Sequence, residues 1–127
     1  MSLEKIIIVA HGSPKEEANK LKEFAKTFAI TLKMRPDQVK YAYLKFSNPS
    51  LEEVLLECVK EKAKTIIVHP LFLFSGGHVI SEIPEIIAKF KKNYPDIEIN
   101  VTKSLGLHEK LIEIIKERIE ELKQCLL

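Results

Sequence analysis

Hydrophobic and polar positions along the chain predict four strands that alternate with four helices. Lys5–Ala10 is a continuous, mostly β-branched run, which is typical of a strand covered on both faces. Runs rich in apolar residues predict further strands at Val39–Phe46, Thr65–Leu71 and Ile97–Lys103. Alternation of this kind indicates βαβ units, and hence a parallel sheet with helices on both faces. We expect one flavodoxin-like α/β domain over residues 1–127, with strand order 2-1-3-4.

Capping residues mark where the helices should begin. Ser13, with Glu16 three residues later, predicts a helix over about 14–32. Ser50 begins a second capping box, for a helix that ends near Lys62. The remaining helices are expected at about Ser81–Asn93, with Pro84 in the first turn, and at about His108–Gln124.

Composition and charge exclude several classes of function. The net charge is only +2 over 127 residues and the lysines are interspersed with glutamates, which argues against a nucleic-acid partner. No apolar run approaches the roughly 20 residues of a membrane span, and the N-terminus has no signal pattern. Cys58 and Cys125 fit no metal or redox spacing. We therefore expect a cytoplasmic protein with no membrane partner.

The unusual residues gather where the predicted strands end. His11, Gly12 and Ser13 follow the first strand, and the third strand leads through Leu71–Phe74 to His78. Ligands of open parallel sheets bind beyond the carboxyl ends of the strands, so His11 and His78 should share one edge. Two imidazoles in one cleft can hold Co(II), Ni(II), Fe(II) or Zn(II). Either one can also take a proton near neutral pH.

Each of these residues also has a purely structural interpretation. His11 can be a polar residue satisfied where a strand meets a helix, and His78 can be incidental to a glycine turn. His69 lies in an apolar strand, where a hydrogen-bonded core role is favoured. A solvated position is favoured for His108. The segment Leu71–Phe74 is either ordinary core or the lining of a flat pocket.

Common nucleotide and hydrolase motifs are absent. The sequence has neither a G-x-x-x-x-G-K-[ST] loop nor a G-x-G-x-x-G turn, so a nucleotide cofactor lacks its usual phosphate cradle. The His11-Gly12-Ser13 tripeptide has no accompanying G-x-S-x-G nucleophile elbow. The residues alone therefore indicate a cleft with two histidines, but they do not identify its substrate.

Several short segments, in order along nearly the whole chain, match a known family. The sequence resembles the short-form, single-domain sirohydrochlorin cobaltochelatases, which are class II chelatases related to the ferrochelatases and to the nickel-inserting enzymes of methanogens. The matching segments are I-I-I-V-A-H-G-S at Ile6–Ser13, Y-L at Tyr43–Leu44, N-P-S-L at Asn48–Leu51, H-P-L-F-L-F-S-G-G-H-V at His69–Val79, E-I-P at Glu82–Pro84 and L-G at Leu105–Gly106.

The resemblance implies a reaction and a pair of metal-binding residues. It implies an ATP-independent chelatase, a lyase that inserts Co(II) into sirohydrochlorin in the anaerobic route to cobalamin, with Ni(II) or Fe(II) as alternative ions. The metal is a substrate, and no prosthetic group is expected. By residue match, His11 and His78 are the two catalytic histidines at the metal. Long members carry two such α/β lobes around one cleft, so a homodimer is implied here.

The same resemblance suggests which residues hold the tetrapyrrole. An apolar segment is expected to face the macrocycle, and polar groups are expected near the carboxylates of the tetrapyrrole. Two positions of this sequence depart from the family pattern. Lys45 stands where many relatives have an acidic residue, and Glu82 replaces the usual aspartate of D-I-P. Either the carboxylate is dispensable or Glu82 substitutes for it. The expected substrate-binding residues are Ser13, Lys45, Leu71, Phe72, Leu73, Phe74, Ser75, Gly76, Gly77 and Glu82.

Three rival interpretations remain open at this point. The first keeps the chemistry and changes the metal to Fe(II) or Ni(II). The second is a metal or tetrapyrrole carrier without turnover. The third is a structural or regulatory domain whose histidines are incidental, in which case replacing them would change no ligand property.

Overall fold

A computed structural model describes residues 3–14, 18–74 and 77–127, except for the side chains of residues 18–19 and 77–80. Its strands form one parallel sheet in the order β2-β1-β3-β4, which confirms the predicted order. The strands are β1 (Glu4–Ala10), β2 (Val39–Tyr43), β3 (Thr65–Pro70) and β4 (Glu98–Val101).

Helices follow the strands as the sequence predicts. Ser50 caps the second helix, because its hydroxyl accepts the Glu53 backbone N–H at 3.2 Å. The predicted capping box of the first helix includes Glu16, which lies outside the described residues. The helices are α1 (Ala18–Thr31), α2 (Leu51–Lys60), α3 (Gly77–Asn93) and α4 (Glu109–Cys125), and a short 3₁₀ turn at Pro36–Gln38 leads into β2.

Two predicted boundaries are wrong in a way that matters for the carboxyl edge. The second strand ends at Tyr43 rather than at Phe46, because Phe46 has a φ of 68° that an extended strand does not allow. The third helix begins at Gly77 rather than at Ser81, so Pro84 lies inside the helix instead of in its first turn. The other strand boundaries differ from prediction by one or two residues.

The two faces of the sheet carry different helices. Ile7 and Val9 of β1 pack with α2 and α3, whereas Ile8 packs with α1 on the opposite face. This alternation is the period-two pattern of a strand buried on both sides. None of the helices in the described part of the chain combines the length and the low charge needed to cross a membrane.

Candidate functional site

The carboxyl ends of the three adjacent strands are hydrogen-bonded together. The Lys45 backbone N–H donates to the His11 carbonyl at 2.9 Å, just after β2 and β1 end. On the other side of β1, the Leu71 N–H donates to the Val9 carbonyl at 2.8 Å. These bonds bring the predicted site segments after β1, β2 and β3 to one edge of the sheet.

His11 lies exposed at this edge, directly after β1. Its Nδ1 is 3.3 Å from the Gly12 carbonyl oxygen, and its ring centroid is 6.1 Å from that of Phe46. A carbonyl oxygen can only accept, so this contact requires the ring proton to be on Nδ1. In the neutral imidazole with this proton position, Nε2 carries the lone pair that ligates a metal.

Gly12 fixes the backbone that presents His11, a role that sequence analysis did not assign to it. Its φ is 100°, and a Cβ built at this position would overlap the carbonyl oxygen of Lys45. Only glycine allows so close an approach of the two backbones. Its place directly after a strand-end histidine is the signal that could have identified it.

Ser13 and Ser47 connect the loops after β1 and β2. The Ser47 hydroxyl donates to the Ser13 carbonyl oxygen at 2.8 Å. Ser13 therefore lies at the same edge as His11, as expected of a substrate-binding candidate. The bond also holds the turn that contains Phe46, a largely exposed aromatic residue that was not among the predicted site residues.

Lys45 and Glu82 are brought together by the end of β2 and by α3. Lys45 Nζ lies 3.0 Å from Glu82 Oε1, and both side chains are partly exposed. Position 78 is one helical turn before Glu82 on α3. The ion pair thus joins the strand-end loop next to His11 to the part of α3 that carries the second predicted histidine.

The Leu71–Phe74 segment extends beyond β3 toward solvent. Leu71 and Phe72 are half-buried, whereas Leu73 and Phe74 are 53% and 64% exposed. The backbone here is held by the Leu105 N–H, which donates to the Phe72 carbonyl at 3.0 Å. Two large apolar side chains are therefore presented on an ordered backbone, as a surface for a flat apolar ligand requires.

The remaining predicted site residues lie at or beyond the limits of the described residues. Ser75 and Gly76 lie outside them. Gly77 and His78 form the start of α3, and nothing is described of the His78 side chain. Among the described side chains, no three His, Cys, Asp or Glu residues come close enough to hold a metal ion.

The other two histidines occupy different places. His69 is half-buried on the α1 face of β3, where its Nδ1 lies 2.6 Å from Thr102 Oγ1 and burial lowers its pKa. His108 caps α4, because its Nδ1 accepts the Lys110 backbone N–H at 3.1 Å. His108 agrees with the solvated role favoured from the sequence. His69 has the expected hydrogen bond, but it is only half-buried and so does not lie in the core as expected.

Comparison with known proteins connects this edge to a family. The CbiX family profile matches residues 5–122 of the chain. A sirohydrochlorin cobaltochelatase of Sulfurisphaera tokodaii is 31% identical over 116 residues, which are 91% of each protein. The chloroplastic sirohydrochlorin ferrochelatase of Arabidopsis thaliana is 36% identical over 91% of this chain. The chain spans 51% of the length of this Arabidopsis relative. It spans 38% of a sirohydrochlorin cobaltochelatase and 44% of a sirohydrochlorin ferrochelatase of Priestia megaterium.

Solved structures show the same fold. SirB from Bacillus subtilis with Fe3+ superposes with a TM-score of 0.85 at 26% identity, over 96% of this chain and 48% of that one. The sirohydrochlorin chelatase SirB from Bacillus subtilis subspecies spizizenii, in complex with cobalt, gives 0.80 at 28% identity, over 95% and 51%. With a family profile that matches almost the whole sequence, the chain belongs to the CbiX family.

Proposed function

We propose that this chain inserts a divalent metal into a sirohydrochlorin-type tetrapyrrole without ATP, and that the preferred metal is Co(II). The observation that carries the proposal is the position of His11, exposed at the carboxyl edge and hydrogen-bonded through its backbone to Lys45. The Lys45–Glu82 ion pair then reaches the turn of α3 that follows position 78. The name of the Sulfurisphaera relative, which this chain matches over most of its length, supports cobalt as the ion.

Metal insertion requires a ligand that gives up the ion and a base that takes protons. The tetrapyrrole loses two pyrrole N–H protons as one divalent ion binds its four nitrogens, so charge and atoms balance with two protons released. A neutral imidazole at His11, with its lone pair on Nε2, can hold the incoming ion in a partly open shell. We assign His78 as the second imidazole at the same ion. Glu82 is the nearest described carboxylate to position 78 along α3, and it can accept a proton.

The proposed substrate has a flat apolar ring with carboxylate side chains. We place the ring against the exposed Leu73 and Phe74, supported from below by the half-buried Leu71 and Phe72. Lys45 is partly exposed and can pair with a substrate carboxylate. The other residues that we assign to substrate binding are Ser13, Ser75, Gly76, Gly77 and Glu82.

Two copies of the chain are expected to build one cleft. The chain spans about half of the Arabidopsis relative and of the two SirB structures. A homodimer whose carboxyl edges face each other would supply the two lobes that a longer chain carries in one polypeptide. Sirohydrochlorin and the ion are then the proposed ligands, and the ion is cargo rather than a resident cofactor.

Iron is the alternative ion, because relatives from Arabidopsis and Priestia megaterium are named sirohydrochlorin ferrochelatases. Imidazole suits Co(II), Ni(II) and Fe(II) alike, so ligand type does not separate them. Insertion rates with each ion at equal free concentration, measured separately and in competition, would rank them.

The test is anaerobic metal insertion into sirohydrochlorin, followed by absorbance against the uncatalysed rate. His11→Asn and His78→Asn remove the titratable imidazole, and His108→Asn is the matched control because asparagine can still cap α4. We expect both site variants to lose at least about 100-fold in kcat, in the range of a lost general base or ligand, while the control keeps its activity. A folded wild type that binds the ring without accelerating insertion would identify a carrier instead.

A further inference from the structure

Phe46 occupies a strained and exposed position in the turn that follows β2. Its φ is 68°, in the left-handed region that bulky residues rarely adopt. The Ser47 N–H donates to the Lys45 carbonyl at 2.9 Å, so Phe46 is the central residue of a γ-turn. A γ-turn with a positive φ is the rare and strained type. The Phe46 side chain is 69% exposed, so packing within the chain does not offset this cost.

The residues on either side of Phe46 hold this conformation in place. The Lys45 N–H donates to the His11 carbonyl at 2.9 Å, and the Ser47 hydroxyl donates to the Ser13 carbonyl at 2.8 Å. Both neighbours of Phe46 are thus fastened to the loop that follows β1. Backbone strain that the surrounding structure imposes in this way is characteristic of binding and catalytic sites.

The phenyl ring of Phe46 lies beside the imidazole that is proposed to hold the metal. Its centroid is 6.1 Å from that of the His11 ring, with 51° between the two planes. This separation is within the range of an aromatic contact. A metal ion bound to an imidazole nitrogen lies only about 2 Å from it. A macrocycle that receives its ion from His11 is therefore wide enough to contact Phe46 as well.

Phe46 and the pair formed by Leu73 and Phe74 flank His11 on opposite sides. Strand β1, which leads to His11, lies between β2 and β3 in the sheet. Phe46 follows β2, whereas Leu73 and Phe74 follow β3. The strands that lead to the two apolar groups are about 10 Å apart, because adjacent strands are separated by about 4.8 Å. A ring of four pyrroles spans such a distance, whereas a bare metal ion does not.

We infer that Phe46 is a further binding residue for the tetrapyrrole. Its phenyl ring contacts the macrocycle on the β2 side of His11, and Leu73 and Phe74 contact it on the β3 side. The inference rests on the proposed function and adds to it the residue that recognises the conjugated ring next to the metal. This contact is apolar and independent of charge, unlike the pairing of Lys45 with the substrate carboxylates.

Contact with another protein chain is the main rival explanation for an exposed phenylalanine. The core of a protein interface is usually a continuous apolar patch with few charges. Along the turn, however, the neighbours of Phe46 are the polar residues Lys45, Ser47 and Asn48. A single aromatic ring beside a metal-binding histidine, with polar groups around it, suits a flat ligand with carboxylate side chains better than a protein surface.

Phe46→Gly separates the structural cost of this residue from its contribution to binding. Glycine adopts a positive φ without strain, and little buried surface is lost, so we expect the variant to unfold at a urea concentration no lower than wild type does. Its affinity for metal-free sirohydrochlorin, measured by absorbance titration, should fall at least about tenfold, because burial of an aromatic side chain contributes at least this factor. Phe46→Trp should bind the ring like wild type. A stable protein with impaired ring binding is not expected if Phe46 has only a structural role.

Lys62→Gly is the matched control. Lys62 also has a positive φ, of 61°, and is exposed, but it lies between α2 and β3, at the edge of the sheet opposite to His11. This variant should likewise keep its stability, and it should bind the ring like wild type. Sodium chloride provides a second control, because salt screens charges but not apolar contacts. The loss of affinity in Phe46→Gly should therefore be the same at low and at high salt.

Ring binding and metal insertion are measured separately, so that the two proposals can fail separately. Equal ring affinities for wild type and Phe46→Gly would overturn the inference, even if wild type inserts metal. If wild type binds the ring more tightly than Phe46→Gly but does not accelerate insertion, the inference stands and the proposed function fails. If wild type does not bind the ring, both fail. A Phe46→Gly variant that binds the ring normally but self-associates more weakly by light scattering would identify Phe46 as a contact between protein chains instead.

Discussion

Lys45 and Glu82 form an ion pair at the carboxyl edge, with 3.0 Å between Nζ and Oε1. The two residues are also the two departures that the sequence resemblance indicated, since it implies an acidic residue at position 45 in many relatives. Lys45 brings a positive charge to this position, and the carboxylate that reaches it comes from Glu82 on α3. The pairing therefore supports the interpretation in which Glu82 supplies the carboxylate and Lys45 orients it.

Glu82→Gln tests whether this carboxylate takes part in the reaction. We expect kcat to fall by about 10- to 100-fold with little change in KM, because an amide keeps the shape but cannot accept a proton at neutral pH. Glu82→Asp should recover part of the rate. Insertion kinetics beside Glu85→Gln, an exposed neighbour on α3, provide the control. An unchanged kcat would exclude Glu82 as a base.

Lys45→Ala tests recognition of the substrate carboxylates. Loss of a charge-assisted contact of about 1.5–3 kcal/mol should raise KM by about 10-fold or more. Added salt should weaken binding to wild type more than binding to the variant, because it screens the lysine charge. Lys92→Ala, which removes an exposed lysine at the end of α3, is the matched control. Equal KM values for Lys45→Ala and Lys92→Ala would contradict the assignment.

Gly12→Ala should damage both stability and activity. An alanine at a φ of 100° is strained, and its Cβ would overlap the carbonyl oxygen of Lys45. Lys45 is also the residue whose backbone N–H donates to the His11 carbonyl, so a shift of Lys45 would disturb His11. The strained φ alone should cost about 1–3 kcal/mol in the free energy of unfolding. The overlap with Lys45 adds to this cost, so the loss measured by urea denaturation should clearly exceed that of a glycine without such an overlap.

Gly106→Ala is the matched control for this substitution. Gly106 also has a positive φ, of 58°, but a Cβ at this position would meet its nearest atom, the Ser104 carbonyl oxygen, only at 3.9 Å. The control should therefore cost only the conformational term of about 1–2 kcal/mol. Similar losses for the two alanine variants would mean that the close approach to Lys45 is not important.

The sheet could be predicted because its signals lie within single segments of the sequence. The features that could not be predicted depend on contacts between segments that are distant in sequence. The β-branched run in β1 and the Ser50 cap are local signals, and both were sufficient to place their elements. The overlap that requires glycine at position 12 depends on Lys45, which is distant in sequence. The amphipathic pattern of α4 likewise predicted a helix, but not that none of its residues would be buried, because periodicity does not specify which surface the apolar side of a helix contacts.

An ion cluster at the opposite edge of the sheet should make stability depend on acid pH. Lys5 is 2% exposed, and its Nζ lies 2.7 Å from Glu61 Oε1 and 3.2 Å from Asp37 Oδ2. Hydrogen bonds from Arg35 and then Lys5 lower the pKa of Asp37 to about 2. Burial raises the pKa of Glu61, but hydrogen bonds from Lys40 and Lys5 outweigh burial and lower it.

These pKa shifts fix the direction of the pH effect. A carboxyl group with a lower pKa in the folded chain than in the unfolded chain stabilises the fold above its unfolded pKa, and this contribution disappears as pH falls through the folded pKa. The free energy of unfolding should therefore decline from about pH 4.5, the usual value for glutamate, down to about pH 2. Lys5→Met fills the buried site with an apolar side chain and removes a bond to each carboxyl group, so the decline should become shallower. Urea denaturation at intervals between pH 2 and pH 7 measures both curves, and parallel curves would show that Lys5 does not cause the shifts.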